Sequence, residues 1–262
     1  MMDRPASFDA HVRFDRVHMA FDGRTVFDSL SCAFPRGRIT VVLGGSGSGK
    51  STLLRLIGGL IQPEAGRVEV AGHDVTDPHT SLAEVRSRIG MLFQHGALLD
   101  SLSVFDNLAL PLREHTDLDR AAIAQAVRAQ LDAVGLGNVE GLLPGQLSGG
   151  MLRRAALARA IIRSPEILLC DEPFSGLDPA SLKRIEILLT RINRQRGITL
   201  IVVSHHIAST LRLADQALLL LPGRSVCGPP AALRSSSDPE VADFFDEELD
   251  VEALDREERA AT

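Results

Sequence analysis

No run of apolar residues in this 262-residue chain approaches the roughly 20 that span a bilayer. The longest, such as Ala217 to Leu221, are far shorter, so nothing here crosses a membrane unaided. Behind Met1, Met2, Asp3, Arg4 and Pro5 there is no apolar core followed by a cleavage site, which argues against a secretory leader. Cysteine is scarce: Cys32, Cys170 and Cys227 are odd in number and widely spaced, which excludes a disulfide framework and points to a reduced, cytosolic protein. Lysine is nearly missing, since of 28 basic residues only Lys50 and Lys183 are lysines, and each therefore invites inspection. Tryptophan and tyrosine are absent. An excess of positive charge is absent too: the net charge of −6 sits in Asp246 to Thr262, where eight carboxylates face Arg256 and Arg259, and residues 1–245 sum to zero. A neutral body exerts no net pull on nucleic-acid phosphates, so no nucleic-acid partner is expected.

The 45% hydrophobic content fits a globular protein with a sizeable core. Val12, Phe14, Val17 and Met19 suggest a half-buried strand, and Ile39 to Leu43 a buried one that runs into a glycine and serine cluster. A helix follows with Leu53, Leu54 and Ile57 on one side. Val68 and Val70 suggest an edge strand, and Ile89 to Phe93 another short strand. Residues 95–163 read as a helical insert: Ile123, Val127, Leu131 and Val134 recur at helical spacing between Asp119 as cap and Gly135 as stop, and a second helix runs from about Gly150 to Arg163. Strands return at Ile167 to Cys170 and Ile198 to Val203, separated by a helix that Asp178 caps, Pro179 opens and Gly197 ends. The alternation predicts an α/β core with a mainly parallel sheet. A last helix is expected from Asp238 and Pro239, and the stretch from Pro229 to Pro239 reads as a surface loop.

Gly44-Gly45-Ser46-Gly47-Ser48-Gly49-Lys50-Ser51 satisfies GxxxxGK(S/T) between a predicted strand and a predicted helix, the context that gives the pattern meaning. Such a loop turns backbone N–H groups around phosphate oxygens, and Lys50 adds a compact ammonium at the β and γ phosphates. Ser51 is the expected Mg²⁺ ligand, with Thr52 beside it in the phosphate site. The strand Ile167 to Cys170 delivers Asp171 and Glu172 at its carboxyl end, where open parallel sheets bind ligands. There Asp171 is placed to hold Mg²⁺ and Glu172 to polarise an attacking water. Leu147-Ser148-Gly149-Gly150-Met151 begins a helix with a serine and two glycines, a second anion site.

The order of these motifs, with Ser148 upstream of Asp171, resembles the ATP-binding cassette family and its LSGGQ motif, over roughly residues 8–245. The resemblance implies an ABC-type nucleotide-binding domain with a RecA-like P-loop core, a small antiparallel β subdomain and a helical subdomain, followed by an acidic tail over 246–262. It implies that Gln94 is the Q-loop residue sensing Mg²⁺ and water, that Ser175-Gly176-Leu177-Asp178 is the D-loop, and that His205 is the switch histidine. His206 departs from the acidic residue common after that histidine. Phe21 matches the aromatic that stacks on adenine, where many relatives carry Tyr; core packing is its competing reading. In the family two domains bind head to tail, so that Ser148, Gly149, Gly150, Met151 and Asp178 would serve the partner's ATP.

Two stretches narrow the resemblance to Mla-type ATPases, which work with Mce proteins. They are Met91-Leu92-Phe93-Gln94-His95-Gly96-Ala97-Leu98-Leu99-Asp100 with Ser103 to Thr116, and Met151 in place of the usual Gln with Arg153-Arg154-Ala155-Ala156-Leu157-Ala158-Arg159-Ala160-Ile161 after it. This implies an ATP-hydrolysing homodimer, peripheral at the cytoplasmic face of a bacterial inner membrane, that energises phospholipid movement between inner and outer membranes. Its implied partners are an integral membrane permease, an Mce-domain periplasmic lipid-binding protein and a small STAS-type cytoplasmic subunit. The permease is expected on residues 95–116, with Leu98, Leu99 and Phe105 as apolar contacts. The competing readings are a transporter ATPase for another substrate and a soluble, non-transport ABC ATPase. For the tail, a solvated end competes with a dimer-stabilising arm built on Val241, Phe244, Phe245, Leu249 and Leu254.

Overall fold

A computed structural model describes residues 9–94 and 96–246. The chain begins with two long strands, β1 (Ala10–Phe21) and β2 (Arg24–Pro35), which pair antiparallel. β1 keeps Val12, Phe14, Val17 and Met19 all buried, although the step from Phe14 to Val17 breaks strict alternation. A register shift between Phe14 and Val17, with Arg16 at φ 47°, absorbs the extra residue and returns both pairs to the inner face. β3 (Ile39–Leu43) is buried throughout and runs into the glycine cluster, after which α1 (Lys50–Ile57) begins.

β4 (Ala65–Val70) pairs with β1, as its valines suggest, but it is not the edge. A two-residue strand, β5 (His73–Asp74), pairs with its far side and completes a four-stranded antiparallel sheet in the order β2-β1-β4-β5. α2 (Leu82–Ser87) leads to β6 (Ile89–Leu92), which stops one residue short of the exposed Phe93.

Three helices then pass before the next strand: α3 (Val104–His115), α4 (Arg120–Ala133) and α5 (Gly149–Ile161). Each starts on a side-chain cap. Ser103 accepts from Asp106 N, Asp119 from Ala122 N and Ser148 from Met151 N. β7 (Ile167–Asp171), α6 (Pro179–Arg196) and β8 (Thr199–Val203) follow. The Asp178 carboxylate accepts from both Ala180 N and Ser181 N, and Gly197 closes α6 at φ 66°. α7 (Ile207–Leu213), the hairpin β9 (Gln216–Leu221) and β10 (Arg224–Gly228), and α8 (Pro230–Arg234) complete the named elements.

The larger sheet has the order β10-β9-β3-β8-β7-β6, parallel except for β10. Its central strands are apolar on both faces because both faces are covered. Val41, Leu168 and Val202 pack toward α3, α4, α5 and α6, whereas Val42, Leu169 and Ile201 pack toward α1 and the antiparallel sheet. Cys170 lies in the first core and is fully buried.

Two expectations for the C-terminal part are corrected. The stretch from Pro229 to Pro239 is no bare loop: it contains α8, with Pro230 and Leu233 buried against the sheet. Residues 239–246 are helical, as expected, but Val241 and Phe245 are fully buried in this chain's own core. They are therefore not part of an arm reaching for a second copy. Leu249 and Leu254, and the acidic tail beyond Asp246, lie outside the described residues, as does His95. Among the described residues no helix is long and apolar enough to cross a membrane.

Candidate active site

A cavity of about 880 Å³ opens at the carboxyl ends of β3, β7 and β8. The loop Ser46 to Gly49, the first turn of α1 from Lys50 to Thr52, Gln94, Asp171, Glu172 and His205 all line it. Residues from four separate stretches of sequence thus converge on one space. Gly49 sits at φ 98°, and a Cβ there would collide with Val26 and the Phe27 ring, so only glycine lets α1 start this close to β2. Lys50 is buried, and its Nζ donates to Gly44 O at 2.6 Å and Gly45 O at 2.9 Å, which ties the ammonium across the mouth of the loop. Among the described residues the buried Ser48 hydroxyl has no hydrogen-bond partner, an arrangement a phosphate oxygen would satisfy.

β7 carries Asp171 and Glu172 to the same space. Burial pushes the Asp171 carboxyl up from its usual range, against the pull of Arg55 and Lys50. Glu172 holds a left-handed backbone at φ 47°, costly for a non-glycine residue, and its N–H donates to Val203 O at 2.9 Å. That turn aims its carboxylate at His205, whose Nε2 lies 3.3 Å from Oε1. Burial, followed by the Lys50 charge, lowers the His205 pKa from 6.5, so the ring is neutral at pH 7.

The two adjacent histidines part ways. His206 caps α7, its Nδ1 meeting Ser209 N and Oγ, and its ring stands edge-on to Phe174 with centroids 6.3 Å apart. The acidic residue common at this place would cap a helix in the same way, which gives the departure a physical reason.

Ser51, Gln94 and Asp171 border the cavity with oxygen donors, the ligand type that a hard divalent cation takes together with phosphate oxygens. Among the described residues no three His, Cys, Asp or Glu side chains gather as a metal cage.

Other expected site residues stand elsewhere. Phe21 ends β1 with 42% of its surface exposed and is not among the residues lining the cavity, and its exposure removes the core-packing reading. Ser148 and Gly149 are exposed at the start of α5, away from this chain's own cavity, and Met151 is half-buried against the helical core. Gly150 approaches α6 so closely that a Cβ would collide with Ser181. Of the three apolar contacts expected for a membrane partner, Leu98 is a core residue at 9% exposure and Phe105 is half-buried, with the Arg113 guanidinium 6.0 Å from its ring centroid. Leu99 is 45% exposed.

A residue that braces the segment after Gln94 carries no motif. Asn107 is fully buried: Oδ1 accepts from Leu99 N, and Nδ2 donates to the carbonyls of Leu99, Leu102 and Ser103. It holds the segment after Gln94 against α3. A lone amide among Val104, Leu108 and Leu112 on the apolar face of a helix is the signal that would have found it.

The ABC transporter family matches residues 27–175, more than half of the chain. The chain belongs to the ABC transporter family. It is 45% identical over 225 residues, 85% of this chain and 84% of the relative, to the intermembrane phospholipid transport system ATP-binding protein MlaF of Escherichia coli strain K12. To the MlaF protein of Haemophilus influenzae it is 44% identical over 229 residues, 87% of each chain. The solved dimer of the ATP-binding cassette MJ0796, in a post-hydrolysis state bound to ADP and Pi, superposes with a TM-score of 0.75 at 29% identity, over 82% of this chain and 97% of that one. The fold is that of an ABC ATPase cassette, and this ABC protein is the ATPase of a transporter.

Proposed function

We propose that this ABC ATPase energises phospholipid transport between inner and outer membranes, as a head-to-tail dimer beneath a permease at the cytoplasmic face of a bacterial inner membrane. The observation that carries the reading is the 45% identity to the E. coli phospholipid transport subunit along 85% of the chain. An Mce-domain lipid-binding protein and a STAS-type subunit belong to the same proposal.

In the proposed mechanism the Ser46 to Thr52 loop holds the ATP phosphates, and Lys50 neutralises charge at the β and γ phosphates. Ser51, Gln94 and Asp171 would hold Mg²⁺, which supplies charge neutralisation between the phosphates. Glu172 accepts the proton of a water that attacks the γ phosphorus as the bond to the β-phosphate oxygen breaks, leaving ADP and phosphate. His205, neutral beside Glu172, offers one N–H to the transferring group or to the carboxylate. Ser148, Gly149 and the N-terminus of α5 complete the ATP site of the second copy, with Met151 and Asp178 shaping that face from within. Leu99 is the proposed permease contact.

Purification of the tagged chain from its own membranes in mild detergent, with mass spectrometry of companions and extraction of lipid, tests the reading. A permease, an Mce-domain protein and a STAS-type subunit with bound phospholipid are expected. An unrelated permease without phospholipid would overturn the lipid assignment and leave the ATPase intact.

A further inference from the structure

Helix α5 does more than present Ser148. Two of its arginines reach the same strip of backbone. Arg153 Nη1 donates to Phe93 O at 3.2 Å, the carbonyl immediately before Gln94. Arg159 donates to Ala97 O at 2.8 Å and Gly96 O at 3.3 Å. Between them Gly96, at φ 77°, lies so near the helix that a Cβ would stand 3.3 Å from Ala156 Cβ. The second amino group of Arg153, Nη2, donates to Ser175 O at 3.2 Å, in the loop that follows Glu172. Arg153 is only 8% exposed.

Burying a cation is costly, and a packing contact between helix and loop needs no charge. What the guanidinium adds is a rigid fork that serves two carbonyls far apart in sequence, which a lysine ammonium matches poorly. We infer that Arg153 is a positioning residue that locks Gln94 and the Ser175 loop in register with α5, so that a displacement of α5 reaches both flanks of Glu172. The inference rests on the proposed roles of Gln94 and Glu172. It adds a route by which an event at Ser148, the cap one turn before Arg153 on the same helix, is felt in this chain's own cavity.

The test uses the full chain assembled with its permease, comparing Arg153→Met, Arg153→Lys, Gln94→Ala and the double variants by ATPase kinetics. Arg153→Met is expected to lower kcat by about 10- to 100-fold, the scale of a small misplacement of reacting groups, with KM for ATP within about twofold. Arg153→Lys, which keeps charge and stem, should restore part of the rate. In the Gln94→Ala background, loss of Arg153 should cost little more, because both changes disturb one unit. Multiplicative effects, or a raised KM with kcat intact, would overturn the inference. If Arg153→Met fails to fold, Arg153→Lys answers through the same cycle. If Gln94→Ala and Glu172→Gln themselves hydrolyse ATP at the wild-type rate, the proposed catalytic roles fall instead.

Discussion

The two ends of the parallel sheet each hold a histidine and a glutamate 3.3 Å apart, and one of these pairs lines the cavity. At the carboxyl end, His205 and Glu172 border the cavity proposed to take ATP, with Lys50 and Asp171 around them. At the amino end, His11 is buried, Glu166 is partly exposed, and both are held by protein partners. His11 Nδ1 lies 2.6 Å from Thr199 Oγ1, Arg36 Nη1 donates toward Nε2 at 2.9 Å, and Arg88 donates to Glu166 at 3.1 Å. Burial is reversed as well: in the cavity pair the histidine is the more exposed member, in the other pair the glutamate. The same two side chains thus make a site in one place and a clamp between the two sheets in the other. What differs is whether the remaining partners come from the protein or are left for a ligand.

Substitutions should separate the two ends cleanly. Lys50→Ala is expected to have the largest effect, loss of nucleotide binding in an equilibrium titration with the thermal midpoint of the apo chain little changed. Retained binding would remove the phosphate role of the loop. Glu172→Gln should keep ATP binding and lower hydrolysis by about 10² to 10⁴, the usual worth of a positioned general base, read by single-turnover kinetics. At the other end, Glu166→Gln should leave kcat within about twofold and lower the unfolding free energy by about 1 kcal/mol in a denaturant titration, since its carboxylate is partly exposed. A catalytic loss in Glu166→Gln larger than its stability loss would dissolve the contrast.

How much of this was legible in the sequence follows the same division. The phosphate loop is contiguous, Asp171 and Glu172 end a single apolar strand, and the caps Asp119, Ser148 and Asp178 act within three residues, so local pattern suffices to find them. The clamp is not local: His11 and Thr199 are 188 residues apart, and Arg153 reaches Phe93 across 60. Such pairs leave no periodic signal. For the same reason the two residues of β5 carry no alternation to reveal a strand, and without β5 the sequence of β4 reads as an edge. Leu98 and Leu99 are equally apolar in sequence, and only packing assigns one to the core and the other to the surface.

The smallest effect is the most specific to the clamp. Burial, then the Arg36 charge, lowers the His11 pKa from 6.5, and the geometry agrees: a neutral ring whose Nε2 accepts from Arg36 leaves the Nδ1–H to donate to Thr199 Oγ1. A proton on Nε2 would face the Arg36 guanidinium, partly offset by Glu166 and Asp9. As pH falls below 6.5 the unfolded chain binds the proton first, so stability present above 6.5 is lost as pH falls toward the lower folded value. His205 is shifted in the same direction and adds its own slope, so the informative quantity is a difference between variants. His11→Gln keeps an acceptor for Arg36 and a donor for Thr199 but cannot titrate. Denaturant titrations between pH 7.5 and about 5, above the ordinary carboxylate range, should show a shallower fall for His11→Gln than for the wild type. Equal slopes would mean that His11 is not held neutral, and that the clamp tolerates the charge the cavity pair is built to avoid.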